Sequence, residues 1–590
     1  MMDLSLPPPP LTRRERLLFL LVAAMCAATR FLALARSIWD WDEALFCLGM
    51  RGYDVTMHHP HPPGFPVYIA MAKIVRLVAP SDFRALQSVN LIAAVLLFPA
   101  MFLLARELRW RFKTSLVAAL LFSFFPNVWF FGGTAFSDIP SIALVIFACA
   151  MLLRGVRSRN AYWIGTLLLA LAIGMRPQNL LVGLWPGLVA TIKRKPREII
   201  VALLIGVVIC SVAYGAASYA TGSFDKYLDT VRGHGEYISR TDSFRNPDRP
   251  PLWRMADRFF LKQYQSPVLS AITSLFAIVS LVGAIKTRDR RVLYVLLMFL
   301  PFAIMAWLML DRFSISRFSI GYQPMFALLA ADGIARASER RAWLEPALGF
   351  ALAFAFASYT IPTLGPVRNE LSPPVRAIDA VQRHLDPKRQ ELFVAYGMVP
   401  FVEYLAPSVH FTRVLDDRAM PFTAKRDAWL IAEASEGKSS GFFFERDRGR
   451  LWNIARRHYF EITLKPLREL PQFVSGWYEG ERSGMDEWRW MSDHSVTLLP
   501  PARGRTVLRV QFGVPVETLP SHPVVSFVLN GHVVGRVRVD EANMSRDFDV
   551  TSAVNGSTNT LEIVVDRAVR PPNDGRVLGA QVRFLSFGPG

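Results

Sequence analysis

Cysteine is scarce in this sequence, and its scarcity excludes several classes of protein. Only four of the 590 residues are cysteine, and none follows Cys210. Because there is no C-x-x-C motif, zinc sites of that type and a disulfide framework are not expected. The chain also lacks a G-x-G-x-x-G or P-loop pattern, so the usual fingerprints of nucleotide binding are missing.

Acidic residues are few relative to basic ones, 48 against 67, which gives a formal net charge of +19. Hydrophobic residues make up 52% of the chain, which is too apolar for a water-soluble enzyme. Lys and Arg fall in short clusters between long apolar runs, a pattern typical of the cytoplasmic loops of membrane proteins. We therefore expect a lipid bilayer, and no nucleic acid, as a partner of this chain.

Long apolar runs dominate the chain as far as Pro362. A bilayer is crossed by about 20 mostly apolar residues in a helix. The first run is interpreted as an uncleaved span rather than a signal peptide. The stretch 161–192 is interrupted at Pro177, which suits one broken helix or two spans joined by a tight turn. The runs predict about eleven transmembrane helices, near residues 17–35, 86–105, 115–131, 138–153, 161–174, 179–192, 198–219, 266–285, 292–310, 319–335 and 343–362.

The loops between these runs alternate in charge. With the N-terminus in the cytoplasm, every inside loop is basic, whereas 132–137 has no cation and 311–318 has only Arg312 and Arg317. The positive-inside rule then places the C-terminal part outside. Since cysteines are absent there and eukaryotic retrieval signals are missing, we predict a multi-pass protein of a bacterial cytoplasmic membrane, with periplasmic C-terminal domains.

The pattern changes after Pro362. Short apolar runs mixed with charge predict a small α/β unit, which includes helices over Arg376–Leu385 and Arg448–His458. Further on, short alternating strands and an Asn530-Gly531 turn signal predict a β-sandwich. We therefore predict three domains: a helical membrane domain (1–365), an α/β domain (366–468) and a β-sandwich (469–590).

An acidic and aromatic stretch, Trp39-Asp40-Trp41-Asp42-Glu43, follows the first span, and a His-Pro block from His58 to Gly64 comes soon after. Carboxylates are costly in hydrocarbon, so acids beside a span indicate function. The alternative is that the tryptophans anchor the interface and the acids merely end the helix. The segment from Phe65 to Val78 is interpreted as a helix lying in the membrane interface, and the alternative is a twelfth, re-entrant segment.

Other polar residues fall on the same predicted outer side: Asp138, Arg176, Arg312 and Arg317. Acids and cations gathered on one membrane face predict a pocket with a base and an anion clamp. Each also has a structural alternative, because Asp138 suits a helix N-terminus and the arginines can extend to the interface. His58, His59 and His61 lie among prolines in a loop, so no metal is predicted there, although a requirement for a divalent cation stays open.

Three of these features together resemble a known family. Asp42-Glu43 after the first span, His61-Pro62-Pro63 shortly afterwards, and Ser137-Asp138-x-Pro at the fourth span are similar to motifs of polyprenyl-phosphate-dependent glycosyltransferases of the GT-C fold. The branch related to protein O-mannosyltransferases and the lipid A aminoarabinose transferase is the most similar. Arg317 and the following Tyr322 and Pro324 loosely resemble that family's late pattern.

The resemblance implies a reaction and a set of roles. A sugar would pass from a polyprenyl-phosphate carrier to the hydroxyl of a glycan, lipid or protein acceptor at the outer face, with inversion. Asp42 would be the general base, with Glu43 as the alternative, and Asp138 would orient the acceptor or the base. The lipid phosphate would be bound by the cationic side chains and the histidine of the motifs, namely His61, Arg176, Arg312 and Arg317. Trp39, Trp41 and His59 are candidate sugar contacts, although the tryptophans equally suit interface anchors.

The C-terminal region resembles the jelly-roll modules attached to bacterial glycosyltransferases, which are called carbohydrate-binding-like. The resemblance rests on Gly476-Trp477-Tyr478 and Trp488-Arg489-Trp490. Trp477 and Trp488 are therefore candidate sugar contacts, but aromatic residues also fill the cores of such domains.

Other functions compete with sugar transfer. A transporter also has many spans and charges, but transporters tend to place the charges near the midplane and to contain internal repeats, which are not evident here. A glycan ligase or polymerase would use a related site, and a membrane-anchored glycan-binding protein would not need so many spans.

Overall fold

The computed structural model describes residues 4–241, 243–246, 249–309, 317–386, 388–418, 420–424, 427–434, 441–446, 460–467, 471–514, 522–541, 543–571 and 574–589. Within them the chain divides into two compact units, one ending at Leu371 and the other beginning at Ser372. We call them the membrane unit and the C-terminal unit. The predicted division into three domains is finer than this and stays a prediction.

The membrane unit is built from helices, because its long apolar runs can satisfy their backbone hydrogen bonds internally only as helices or closed barrels. Its described helices are α1 Arg13–Arg30, α2 Trp41–Arg51, α3 Pro66–Arg76, α4 Asp82–Glu107, α5 Phe112–Phe124, α6 Pro126–Phe131, α7 Asp138–Gly155, α8 Arg159–Met175, α9 Asn179–Thr191, α10 Pro196–Ala220, α11 Phe224–Thr241, α12 Leu252–Leu261, α13 Pro267–Thr287, α14 Arg290–Met309, α15 Gln323–Ala337 and α16 Leu344–Asn369.

Each predicted span coincides with helix in the structure, and prolines explain the deviations. The run over 115–131 is divided into α5 and α6 at Pro126, since proline disfavours helix at the residue before it. The predicted break at Pro177 is observed between α8 and α9. By length and composition, seven helices among the described residues are able to cross a membrane. The predicted polytopic helical fold is confirmed.

Exposed apolar side chains support a membrane environment. On α10, Leu203, Val207 and Val212 are 65%, 60% and 67% exposed. An apolar surface of this kind is rare on a soluble monomer, whereas lipid tails cover it without cost. The chain is therefore a multi-pass membrane protein.

Two short helices, α2 and α3, lie between the first two long ones. The predicted helix from Phe65 to Val78 is observed as α3, which packs against α4. Pro66 stands at the first helical position, where its missing N–H is not needed. These two helices carry or flank the acidic stretch and the His-Pro block.

The C-terminal unit contains two sheets and two described helices. A five-stranded sheet has the order β2-β1-β3-β5-β4, and an eight-stranded sheet has the order β10-β9-β12-β7-β13-β8-β11, with β6 paired to β7. The elements are α17 Pro373–His384, β1 Gln390–Ala395, α18 Val399–Leu405, β2 Phe411–Val414, β3 Asp427–Glu433, β4 Phe442–Glu445, β5 Glu461–Pro466, β6 Gln472–Ser483, β7 Asp486–Leu499, β8 Thr506–Gly513, β9 Val524–Leu529, β10 His532–Arg538, β11 Met544–Asp549, β12 Asn559–Val565 and β13 Gln581–Pro589.

The first sheet confirms the predicted α/β character. Strand β1 is parallel to both β2 and β3, whereas β5 is antiparallel to β3 and β4. The helix predicted over Arg376–Leu385 is observed as α17. The one predicted over Arg448–His458 lies outside the described residues.

The second sheet confirms the predicted β-rich fold and refines it. The strands form a single hydrogen-bonded sheet rather than two, because the 14-residue β7 pairs with β6, β12 and β13 along its length. The sheet curls until its edge strands approach: a Cβ added at Gly535 of β10 would lie 2.2 Å from the ring of Phe548 of β11. The Asn530-Gly531 turn has positive φ at both residues, as its sequence predicts.

Candidate active site

Asp42 owes its position to the cap of helix α2. Asp40 is the N-cap residue, and its side chain accepts a hydrogen bond from the backbone N–H of Asp42 at 2.9 Å. Glu43 returns to the N-cap and accepts from the N–H of Asp40 at 3.2 Å, which completes a capping box. Asp40, to which the sequence assigned no role, therefore fixes the start of the helix that carries Asp42.

The Glu43 carboxylate is bound by further backbone N–H groups besides that of the N-cap. Its carboxylate also accepts from the N–H of Trp39 at 3.0 Å and from the N–H of Ala135, 92 residues away, at 2.9 Å. The side chain is fully buried, and burial raises the pKa of Glu43 to about 8, although the backbone donors act in the opposite direction. Both carboxylate oxygens are thus engaged with backbone, which favours a positioning role for Glu43.

A first prediction concerns the hydrogen bonds between the Glu43 carboxylate and the backbone. We expect Glu43→Ala to lower the free energy of unfolding by several kcal/mol, since each buried N–H left without a partner costs about 1–3 kcal/mol. Glu15→Ala is the matched control, because Glu15 occupies the same capping-box position at the exposed start of α1. It should cost at most about 1 kcal/mol. Thermal unfolding of both variants in detergent measures the difference, and equal losses would contradict the anchoring role.

Four charged side chains meet in the membrane unit, and we call them the acid–arginine cluster: Asp42, Asp138, Arg176 and Arg317. Arg317 Nη2 donates to Asp42 Oδ2, and Arg317 Nε lies 3.6 Å from Asp138 Oδ2. Arg176 Nη2 donates to the same Asp138 oxygen at 2.8 Å. All four are buried. The two carboxylates and two guanidinium groups balance in charge, as buried ions require.

The cluster is assembled from four separate parts of the sequence, each at a helix end. Asp42 lies in the first turn of α2, and Asp138 is the first residue of α7. Arg176 lies between α8 and α9, and Arg317 begins a 3₁₀ turn, Arg317–Gly321, ahead of α15. These four residues, which the sequence assigns to one side of the membrane, are therefore in direct contact with one another.

Aromatic rings and hydroxyls hold the two arginines. The Arg317 guanidinium lies 4.4 Å from the ring centre of Phe136, and that of Arg176 lies 5.1 Å from the ring centre of Phe65. Arg176 Nε also donates to Ser137 Oγ at 3.0 Å. Ring contacts of this kind stabilise a cation that has lost water. Both guanidinium groups are thus oriented before any ligand arrives.

His61 joins the cluster from the His-Pro block. Its Nδ1 lies 3.7 Å from Asp42 Oδ1, and its ring packs against Phe65 and Phe46 at centroid distances of 4.8 and 5.6 Å. Burial lowers the pKa of His61 to about 3. The imidazole therefore stands beside Asp42 as a neutral group, able to donate or accept one hydrogen bond but not to act as a cation.

A second prediction follows from this neutrality. A histidine with its pKa at about 3 does not titrate between about pH 5 and 8, where an ordinary one does. Wild type and His61→Gln should therefore give kcat/KM profiles of the same shape over that range, even if the variant is slower. A limb near pH 6.5 that disappears in His61→Gln would show that the imidazole titrates there.

A small cavity borders the cluster. Its lining includes polar and aromatic side chains, among them Asp138, Arg176, Asn179, Phe302 and Phe318. About 20 Å³ of it is accessible to the centre of a water molecule. The cavity therefore has room for about one water molecule beside the carboxylate and the guanidinium.

The remaining candidates occupy different environments. Trp39 is buried and packs edge-on against Phe130 at 5.3 Å, so its indole belongs to the core of the membrane unit. Trp41 is partly buried as the first residue of α2, and His59 pairs through its backbone with Asp54. Arg312 lies outside the described residues. Among the residues that are described, no group of three His, Cys, Asp or Glu side chains is arranged to hold a metal.

The two candidate tryptophans of the C-terminal unit, Trp477 and Trp488, occupy different environments. Trp477 donates from Nε1 to Thr497 Oγ1 at 3.0 Å and packs against Phe473 and the core of the eight-stranded sheet. This position favours the core-packing alternative for Trp477. Trp488 donates from Nε1 to Glu481 at 2.8 Å and lines an open groove of the C-terminal unit.

Sequence reasoning missed His234 and Asn179. The ring of His234, on α11, lies 6.5 Å from that of His61 and 5.9 Å from that of His58. Asn179 donates to Ser141 Oγ at 2.7 Å and lines the cavity. His234 lies between the predicted spans near 198–219 and 266–285, in a loop that the charge alternation assigns to the outer side. Helix α11 also contacts the His-Pro block, because the Tyr227 hydroxyl donates a hydrogen bond to the Pro63 carbonyl oxygen at 2.8 Å.

Comparison with known proteins gives similarity of structure but not of sequence. No protein-family model matches the sequence, and no curated protein matches it. ArnT from Cupriavidus metallidurans bound to undecaprenyl phosphate aligns over 77% of this chain and 98% of its own, with 12% identity and a TM-score of 0.49. Arabinofuranosyltransferase AftD from Mycobacteria aligns over 99% of this chain and 59% of its own, with 12% identity and a TM-score of 0.46.

A third solved structure is also similar. The Archaeoglobus fulgidus oligosaccharyltransferase, in complex with Zn and sulfate, aligns over 96% of this chain and 97% of its own, with 11% identity and a TM-score of 0.43. These identities and scores describe a distant likeness of fold.

Proposed function

We propose that this protein transfers a sugar from a polyprenyl-phosphate-linked donor to an acceptor hydroxyl at the outer face of a bacterial cytoplasmic membrane. The observation that supports this most directly is the acid–arginine cluster. A general base and two guanidinium groups lie together, buried, at helix ends of a membrane protein. A lipid-linked donor suits such a place, since its tail can lie among the helices while its phosphate reaches the polar cluster.

Asp42 is the base in this proposal. An acceptor alcohol is a poor nucleophile, so a carboxylate must take its proton as the new bond to the anomeric carbon forms. Asp42 has one oxygen bound to Arg317 and the other 3.7 Å from His61, whereas the oxygens of Glu43 are occupied by backbone donors. Asp138 shares Arg317 with Asp42 and would orient the acceptor or the base.

Arg176 and Arg317 bind the donor phosphate. Bond cleavage at the anomeric carbon leaves the electron pair on the phosphate oxygen, and cations placed beforehand stabilise that charge. Arginine suits this task because its planar fork binds phosphate through two parallel hydrogen bonds. When a phosphate draws Arg317 towards itself, Asp42 loses its ion-pair partner and becomes a stronger base. Donor binding would in this way activate the catalytic carboxylate.

The cluster favours an enzyme over a transporter. Its four residues lie at helix ends in segments that the charge alternation assigns to the outer side. Transporters tend instead to bind substrate near the bilayer midplane. A ligase or polymerase that transfers a whole oligosaccharide would use the same chemistry, and the donor that is consumed distinguishes it.

A donor panel tests the proposal. Purified full-length protein is offered radiolabelled polyprenyl-phosphate sugars and polyprenyl-diphosphate oligosaccharides, and release of label from the lipid is followed. We expect at least one monosaccharide donor to be consumed, and direct displacement predicts that the product has the inverted anomeric configuration. Consumption of the oligosaccharide donors alone would favour the ligase, and retention of configuration would contradict a single displacement.

A further inference from the structure

A polar groove opens in the C-terminal unit. It is lined by the end of β2, the turn between β6 and β7, and strands β8 and β13. About 710 Å³ of it is accessible to the centre of a water molecule. Small-molecule sites are typically about 300–1,000 Å³, so this groove is within the size range of a ligand site. None of the residues assigned to proton transfer or phosphate binding lies in it.

Two aromatic residues form part of its wall. Trp488 donates from Nε1 to Glu481 Oε2 at 2.8 Å, and the other oxygen of Glu481 accepts from Arg576 Nη1 at 2.7 Å. The indole N–H is therefore committed to the protein, and the ring is held in place. What Trp488 offers the groove is apolar ring surface. Tyr396 is 48% exposed and lines the same space.

Planar polar groups form a further part of the lining. Arg413 binds Asp486 at 2.6 Å from Nη2 and 2.8 Å from Nε. Gln581 accepts from Arg583 Nε at 2.8 Å through its carbonyl oxygen, which leaves its amide N–H₂ as a donor. Gln511 of β8 adds a second amide. Two arginines and two acids line the groove, so their charges balance.

These features select for one class of ligand. A sugar ring has an apolar C–H face, which packs on an aromatic ring, and an edge of hydroxyls, each of which donates and accepts hydrogen bonds. Amides and a paired Arg–Asp fork supply both donors and acceptors to neighbouring hydroxyls. An anionic ligand would need an excess of positive charge, which this lining does not have.

We infer that the groove binds an uncharged oligosaccharide, with Trp488 and Tyr396 as stacking surfaces and Gln511, Gln581 and the Arg413–Asp486 pair as hydroxyl partners. The site is distinct from the acid–arginine cluster and does not depend on the proposed transfer reaction. If both are correct, the groove holds a glycan that is an acceptor or a product of the enzyme.

Glycan binding by the intact protein tests this inference. Full-length protein is kept in a detergent without a sugar headgroup and applied to an array of microbial and plant oligosaccharides. The Kd for a glycan that binds is then measured by calorimetry. Trp488→Ala should weaken binding at least about tenfold, a loss typical of a buried aromatic anchor. Trp488→Phe, which keeps a ring, and Asp42→Asn, which removes the proposed base, should both retain it.

Controls separate the groove from general damage. Gln511→Ala should weaken binding, whereas Gln472→Ala, an exposed glutamine on β6 outside the groove, should not. Trp343→Ala is the aromatic control, since Trp343 is an exposed residue of the membrane unit. The inference is wrong if no uncharged glycan on the array binds, or if Trp488→Ala and Gln511→Ala both bind as wild type does. Loss of transfer in Asp42→Asn with binding intact would show that the two sites are independent.

Discussion

Asp42→Asn is expected to lower kcat/KM for sugar transfer by about 10²- to 10⁴-fold, the usual range for loss of a general base. The amide has nearly the same shape and can still accept from Arg317, so the fold should survive. It cannot take the proton from the acceptor hydroxyl. The expected loss is in kcat, with the KM for the donor little changed, because phosphate binding is assigned to the arginines. Steady-state assays with the donor identified from the panel measure both parameters.

A matched control makes this result specific. Asp82→Asn also removes a carboxylate paired with arginine, because Asp82 binds Arg51 at 3.2 Å and Arg76 at 3.0 Å. Asp82 lies at the start of α4, outside the cluster. Its variant should keep kcat within a few-fold of wild type, since exposed pairs of this kind contribute at most about 1 kcal/mol. If Asp42→Asn is no slower than Asp82→Asn, another group is the base, and Asp138 is then the next carboxylate to test.

The architecture of the membrane unit could be predicted from sequence because its signals are local. A run of apolar residues has few options in a bilayer other than a helix, so each predicted span coincides with helix. The charge of the short loops then assigned Asp42, Asp138, Arg176 and Arg317 to one side. No local sequence signal indicated the distances between these four side chains. The contact between Arg317 and Asp42 joins residues 275 apart in sequence, and only the packing of the helices brings them together.

The roles within the acidic stretch could be assigned from sequence only in part, for a different reason. Asp40, Asp42 and Glu43 are alike in chemistry, and only their directions distinguish them. Because α2 starts at Trp41, Asp40 is the N-cap residue, and the Glu43 side chain accepts a hydrogen bond from the N-cap backbone. Asp42 is left to face the cluster. A capping box with a carboxylate at both positions can be recognised in Asp40-x-x-Glu43, so this part was within reach.

The C-terminal unit shows a limit of periodicity. Alternating patterns located the strands of the curled sheet, but they did not reveal that β7 joins three partners along its 14 residues. Trp477 and Trp488 looked equivalent in sequence, yet one packs against the core and the other lines the groove. Trp488 lies on β7, which contacts β2 of the five-stranded sheet, and no local pattern indicates this contact between distant segments.

Replacement of Arg317 should affect both transfer and its pH dependence. Arg317→Gln removes the cation that Asp42 and Asp138 share, together with one of the two groups proposed to bind the donor phosphate. We expect kcat/KM to fall by about 10²- to 10³-fold, as when a preorganised donor to a developing anion is lost. The acid limb of the profile should also move to higher pH, because a carboxylate without its cation takes up a proton more readily.

Two further variants separate charge, geometry and stability. Arg317→Lys keeps the charge but not the fork that bridges two carboxylates, so it should restore the position of the acid limb and only part of the rate. Arg336→Gln is the structural control, because Arg336 also bridges two aspartates, Asp332 and Asp289, at 2.6 Å each. Its loss should lower the unfolding temperature, as breaking a buried pair does, without moving the acid limb. If Arg317→Gln destabilises the protein like Arg336→Gln but leaves the pH profile of transfer unchanged, Arg317 only supports the fold.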